Sequence, residues 1–237
     1  MILFVGCSHV LGEELEQDSI IELRTYSEIK KFRENHRFAK ILSDKVNISH
    51  KVIAESGADN SWITFNTVDF VEKNEDIISN VVVSWSGVTR IQKIAFNTPL
   101  FFNPLHPGHG AKTTYPPTVP KKFIEDIITW ETIENKYFLD IDFANLQTYH
   151  YINYLTYFLN SKKIDFFYIK GIDSDIDLSQ FTQNSIDQSF VNFVTENKFK
   201  VGKNSHALKE GHSQWGNHLF KKFKDKFSLY ESKQKLI

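Results

Sequence analysis

Two residues of this chain have surroundings that suit acyl chemistry: a serine in a turn between glycines, and a histidine far along the chain, also beside glycines. Ser8 lies in Leu3-Phe4-Val5-Gly6-Cys7-Ser8-His9-Val10-Leu11-Gly12, at the exit of a short apolar run. A hydroxyl becomes a nucleophile when a base takes its proton and donors hold the oxyanion that forms. The candidate base is His212, in Glu210-Gly211-His212-Ser213-Gln214-Trp215-Gly216-Asn217-His218. Each residue also has a plainer reading: Ser8 as the cap of a helix, and His212 as a cap or surface residue at a helix start. Cys7 is an alternative nucleophile, but its side chain alternates with that of Ser8 and is expected to face the core.

The elements that must position these residues follow an α/β rhythm. Ile2 to Val5 is apolar at every position, as in a parallel strand covered on both faces. Such a strand delivers Ser8 to the carboxyl edge of a sheet, where ligands bind in open α/β folds. Residues 27–45 carry Ile29, Phe32, Phe38, Ile41 and Leu42 at helical spacing, and residues 50–54 form a second strand ending at Glu55-Ser56-Gly57. Ser61 to Val71 reads as a helix and Ile77 to Trp85 as a strand, with Val81-Val82-Val83 continuous and β-branched. A helix from Phe143 to Leu159, a strand from Lys163 to Ile169, a helix at 184–196 and a terminal helix from Ser213 to Phe227 complete the pattern.

All six prolines fall within about 95–121. The α/β rhythm resumes afterwards, so this stretch is an insertion in one domain spanning 1–237 and not a linker between two. It reads either as a flap beside a substrate site or as a packed surface loop.

A formal charge of −1 gives no electrostatic case for nucleic acid as the main partner. Lys221, Lys222, Lys224 and Lys226 interleave with Phe220, Phe223 and Phe227, the pattern of a solvated face on an amphipathic helix. Cys7 is the only cysteine, so no internal disulfide forms. Neither a signal-peptide pattern nor a run of about 20 apolar residues is present, so the expected location is the cytoplasm, with association with a larger particle left open. His106 and His109 lie three apart with no acidic or thiolate ligand nearby, and no metal or other cofactor is expected. His9 and Arg90 are candidate substrate contacts, against the plainer readings of a turn histidine and a surface ion pair.

On these residues the chain resembles the SGNH (GDSL-type) hydrolases, α/β/α esterases and lipases with four short sequence blocks. Val5 to Gly12 is similar to the first block, with Cys7 where the family has aspartate. Ser56-Gly57-Ala58-Asp59-Asn60 is similar to the second, which implies that the Gly57 N–H joins that of Ser8 in an oxyanion hole. Ser84-Trp85-Ser86-Gly87 stands where the family has Gly-x-Asn-Asp, so Ser86 or Asn60 is expected to supply the missing donor. In the last block His212 matches the histidine of Asp-x-x-His, Lys209 replaces the aspartate, and Glu210 is the nearest candidate for the orienting acid.

The resemblance implies a three-layer α/β/α sandwich with a central, mostly parallel, flavodoxin-like sheet. It implies a Ser8–His212 dyad that hydrolyses an O-acyl ester of a small molecule or a carbohydrate, in a divergent branch associated with phage and environmental bacteria. A non-catalytic binding or structural module and an O-acyltransferase are the alternative readings.

Overall fold

Ile2, Leu3, Phe4 and Val5 are each fully buried, so this strand is covered on both faces. The computed structural model describes residues 1–19, 22–23, 25–95, 98–102, 121–137 and 140–234. In chain order its elements are β1 (Ile2–Gly6), α1 (Ser8–Leu11), α2 (Tyr26–His36), α3 (Phe38–Val46), β2 (His50–Ala54), α4 (Asn60–Asn74), β3 (Asn80–Trp85), β4 (Ile91–Ala95), β5 (Thr98–Phe102), α5 (Lys121–Tyr137), α6 (Ile141–Ser161), β6 (Asp165–Lys170), β7 (Ser185–Ser189), α7 (Phe190–Glu196) and α8 (Lys209–Gln234).

Five strands form one sheet in the order β2-β1-β3-β6-β7, every pairing parallel. This is the flavodoxin-like order, and it puts the reversal of strand order at β1 and β3. Ser8 therefore leaves the sheet at the switch point. The two-residue side-chain period divides the core cleanly. Ile2, Phe4, Val82 and Phe167 face Phe38, Leu42, Trp215, Leu219 and Phe223 of α3 and α8. Leu3, Val5, Val81, Val83 and Tyr168 face Ile63, Val71, Ile152, Leu155 and Leu159 of α4 and α6. Each such buried side chain contributes roughly 1.5–3 kcal/mol relative to exposure. The three-layer sandwich is the architecture that the resemblance implies.

Three expectations about elements need correction. The single helix over 27–45 is two, because Arg37 is extended between them (φ −70, ψ 152). The break aims Phe38, Ala39 and Leu42 into the core while α2 buries none of its residues. The helix expected at 184–196 is a strand followed by a helix: β7 pairs with β6, and Ser189 Oγ caps α7 by accepting the Asn192 N–H at 3.0 Å. The terminal helix starts earlier than Ser213, at Lys209, with consequences for His212. Within the proline-rich stretch, β5 pairs antiparallel with β4, while residues 103–120, His106 and His109 among them, lie outside the described residues. Among the described residues no helix is long and apolar enough to cross a membrane, and no group of three or more His, Cys, Asp or Glu could hold a metal ion.

Candidate active site

Ser8 is the first residue of α1, and the turn is not built on its hydroxyl. Cys7 is the N-cap and makes no side-chain capping bond. The Ser8 Oγ instead lies 2.9 Å from Nε2 of His206, a residue 198 positions away. The other ring nitrogen, Nδ1, lies 3.3 Å from Oε2 of Glu14. A carboxylate only accepts, so Nδ1 carries the hydrogen and the Nε2 lone pair faces the serine. Ser8, His206 and Glu14 thus form a hydrogen-bonded line in the order of a nucleophile, a base and an orienting acid.

The loops that hold this line are tied to each other at several points. The chain from Val201 to Ala207 closes on itself through an isolated antiparallel bridge, with Gly202 N donating to His206 O at 2.8 Å. Glu14 then accepts from the backbone N–H groups of Asn204 (2.9 Å) and His206 (3.2 Å), and from Gln17 Nε2 (2.7 Å). Gln17 Oε1 accepts from Lys203 N, and Asp18 Oδ2 accepts from Lys209 N at the start of α8. Arg33 on α2 holds Glu16 through two 2.7 Å bonds, which anchors the acidic loop from behind.

Glu14 and Ser205 both adopt left-handed backbone (φ 67 each), an arrangement that costs a non-glycine residue roughly 1–3 kcal/mol. Gly202 gives Glu14 its room: a Cβ there would lie 2.8 Å from Oε2 and 2.9 Å from both Cβ and Cδ of Glu14. Burial pushes the Glu14 carboxyl up. The N–H groups of Asn204 and His206, with Gln17 and the His206 ring, outweigh that and hold it below the ordinary carboxylate range.

His212 is elsewhere. It lies in the first turn of α8, 1% exposed, stacked on Phe38 (5.8 Å between ring centres) and against Phe190. Its Nδ1 accepts the Phe38 N–H at 3.3 Å and so satisfies an amide at the start of α3. Burial, with His206 and Arg37 nearby, pushes its pKa down to about 3, so it is neutral at ordinary pH. The expected Ser8–His212 pair is therefore corrected to Ser8–His206. Glu210 is exposed on α8 and bonds neither histidine among the described contacts; Glu14 takes the place expected of it.

The remaining candidates divide in the same way. The N–H groups of Ser8 and Gly57 donate to no other group among the described residues. Gly57 has φ +76, a backbone that favours glycine. Asn60 donates through Nδ2 to Ser86 O and Thr148 Oγ1, both at 3.2 Å, and accepts Ser86 N through Oδ1 at 2.8 Å. It clamps the loop after β3 to the start of α4, where Asp59 Oδ1 caps the helix on Trp62 N. Arg90 Nη1 donates to Ser86 Oγ at 3.0 Å, so these two residues hold each other. His9 is buried, edge-on to Phe190 and tilted against His206 with ring centres 5.1 Å apart. Burial first, then His206, Arg90 and His212, push its pKa well down, and it packs behind the dyad as a neutral ring.

Sequence reasoning missed His206 and Glu14. The signal for His206 is its setting in Gly202-Lys203-Asn204-Ser205, a run of turn formers between elements, where functional side chains concentrate. Nothing in the sequence separates Glu14 from Glu13 or Glu16 beside it.

No protein-family model matches this chain, and no curated protein matches it by sequence. Among solved structures it is similar to a protein assigned to the lipolytic G-D-S-L family from Desulfitobacterium hafniense DCB-2 (TM-score 0.38, 10% identity, 93% of this chain and 98% of that one). It is also similar to an acetyl xylan esterase from the rumen bacterium Butyrivibrio proteoclasticus (TM-score 0.48, 10% identity, 96% of this chain and 64% of that one). A third is a carbohydrate esterase family 2 enzyme with a carbohydrate-binding domain from Corynascus thermopiles (Myceliophthora fergusii) (TM-score 0.40, 9% identity, 94% of this chain and 66% of that one). This chain spans less than two thirds of the length of the last two. The roles of its side chains rest on the geometry above.

Proposed function

We propose that this chain is a serine ester hydrolase of SGNH type, in which Ser8 is the nucleophile, His206 the general base and Glu14 the acid that orients it. The observation that carries the reading is the continuous line of hydrogen bonds from Ser8 Oγ through both nitrogens of His206 to Glu14. His206 Nε2 takes the Ser8 proton as Oγ attacks the ester carbonyl. The N–H groups of Ser8 and Gly57 receive the oxyanion, and each such donor typically contributes about 10²–10³ in rate. Nε2 then passes the proton to the leaving alcohol as the C–O bond breaks. Water, deprotonated at the same nitrogen, attacks the acyl-serine, and Ser8 recovers its proton when the acid departs. Through both halves the hydrogen stays on His206 Nδ1, donated to Glu14, which stabilises the imidazolium without taking its proton.

The substrate on this reading is an O-acyl ester of a small molecule or a carbohydrate. Purified protein is expected to hydrolyse p-nitrophenyl acetate, and Ser8→Ala to lower kcat/KM by about 10⁴ or more. Equal rates for parent and variant, with no labelling of Ser8 by a fluorophosphonate, would leave a non-catalytic binding module as the better reading.

A further inference from the structure

A second carboxylate stands beside the reacting nitrogen of His206, and the mechanism above does not use it. Glu13 Oε2 lies 3.6 Å from His206 Nε2, too far for a hydrogen bond, so the nitrogen stays with Ser8 at 2.9 Å. Glu13 Oε2 accepts instead from Ser56 Oγ at 2.7 Å, which fixes the carboxylate between the loops after β1 and β2. Its backbone is fixed as well, since Glu13 N donates to the carbonyl of Ser8 at 3.1 Å. Its other oxygen, Oε1, meets no donor among the described residues. The Glu13 side chain is 21% exposed against 5% for Glu14, so of the two carboxylates beside the ring Glu13 is the one more open to solvent.

In ester cleavage Nε2 must reach the leaving oxygen to deliver its proton, at about 3 Å. With Glu13 Oε2 3.6 Å from the same nitrogen, that oxygen lies within roughly 6–7 Å of the carboxylate. A donor one or two bonds further along the alcohol closes that gap. A carboxylate accepts only, so it rewards a hydroxyl or ammonium and repels an anion.

Resting on the esterase reading, we propose that Glu13 is the specificity-determining residue on the leaving-group side, accepting a hydrogen bond from a hydroxyl or ammonium next to the ester oxygen and turning away anionic alcohols. The substrate class this selects is a monoester of a polyol or an amino alcohol. The Ser56 hydroxyl sets the carboxylate's orientation.

The test compares kcat/KM for three acetates in the full chain: 2-hydroxyethyl acetate, its isostere propyl acetate, and acetoxyacetate. The parent is expected to favour the hydroxyl ester over propyl acetate by about tenfold and to use the anion least. Glu13→Ala should bring the first ratio close to one, and Glu13→Gln should raise the relative rate on acetoxyacetate about tenfold. Ratios within one preparation cancel any loss of folded protein, so a purely structural role for Glu13 leaves them unchanged. Unchanged ratios in both variants, with hydrolysis retained, overturn the role of Glu13 and leave the esterase reading standing. Failure of the parent to hydrolyse these esters and p-nitrophenyl acetate alike overturns the esterase reading, and the Glu13 proposal falls with it.

Discussion

His206 and His212 sit six residues apart in one stretch of chain, and their surroundings differ in almost every respect. His206 lies in a loop whose backbone amides are turned onto the carboxylate of Glu14, and its ring meets a side chain at each nitrogen, Glu14 at Nδ1 and Ser8 at Nε2. His212 lies in a helix, sandwiched by Phe38 and Phe190, and accepts one backbone amide. A polar ring can complete a core as a satisfied acceptor or can complete a site as a proton carrier. The difference is made by whether a carboxylate faces one of its nitrogens. Burial alone favours the neutral ring, whereas a carboxylate at Nδ1 favours the charged form that the reaction must pass through.

The comparison breaks most visibly by truncation. His206→Ala is expected to lower kcat/KM by about 10⁴ or more. His212→Ala should instead lower stability by about 2–5 kcal/mol, because it opens a cavity and orphans the Phe38 N–H, while the folded fraction keeps kcat within a few-fold. Ester hydrolysis and denaturant unfolding on the same two proteins check both arms, and the opposite pattern would exchange the two roles.

Glu14→Gln is the next largest effect, because an amide at Nδ1 no longer supports the imidazolium and can present its own N–H there. A fall in kcat approaching about 10⁴ is expected, with the rate on p-nitrophenyl acetate as the readout.

The smallest effect is one of pH. His212 is neutral in the fold, with its pKa pushed down to about 3, and it titrates near its ordinary value of about 6.5 when unfolded. Between those values the unfolded chain binds the extra proton, so stability falls as pH drops from about 6.5 towards 3. His212→Gln keeps an acceptor for Phe38 and removes the titration. Its unfolding free energy should therefore decline less steeply over that range, as measured by denaturant melts at successive pH values.

The same contrast explains what can be read without coordinates. The fold is legible because β1 and β3 are apolar throughout and alternate with helical periods. The place of Ser8 at the sheet edge is legible because the apolar run of β1 stops at Gly6, although a helix cap would use the same turn. The sequence around His212 in fact carries the sign of its true place: Leu208, His212, Trp215, Leu219 and Phe223 recur at helical spacing, which puts the ring on a core face. Glu14 was not legible, because its selection over Glu13 and Glu16 depends on a left-handed backbone and on room left by Gly202, both properties of distant chain in contact. β7 was hidden because an edge strand reading Ser-Ile-Asp-Gln-Ser carries too little apolar period to stand out.

The placing of Glu14 close to Ser8 in the chain, and of His206 far from both, has a further consequence in time. Ser8 and Glu14 are joined to His206 across 198 and 192 residues. During synthesis both are made long before His206 is. The growing chain thus carries an unactivated serine beside an unoccupied carboxylate until the loop at Val201–Ala207 closes onto it. On the proposed reading, the serine gains its base only when that loop docks, so activity would report contact between the two ends of the described fold.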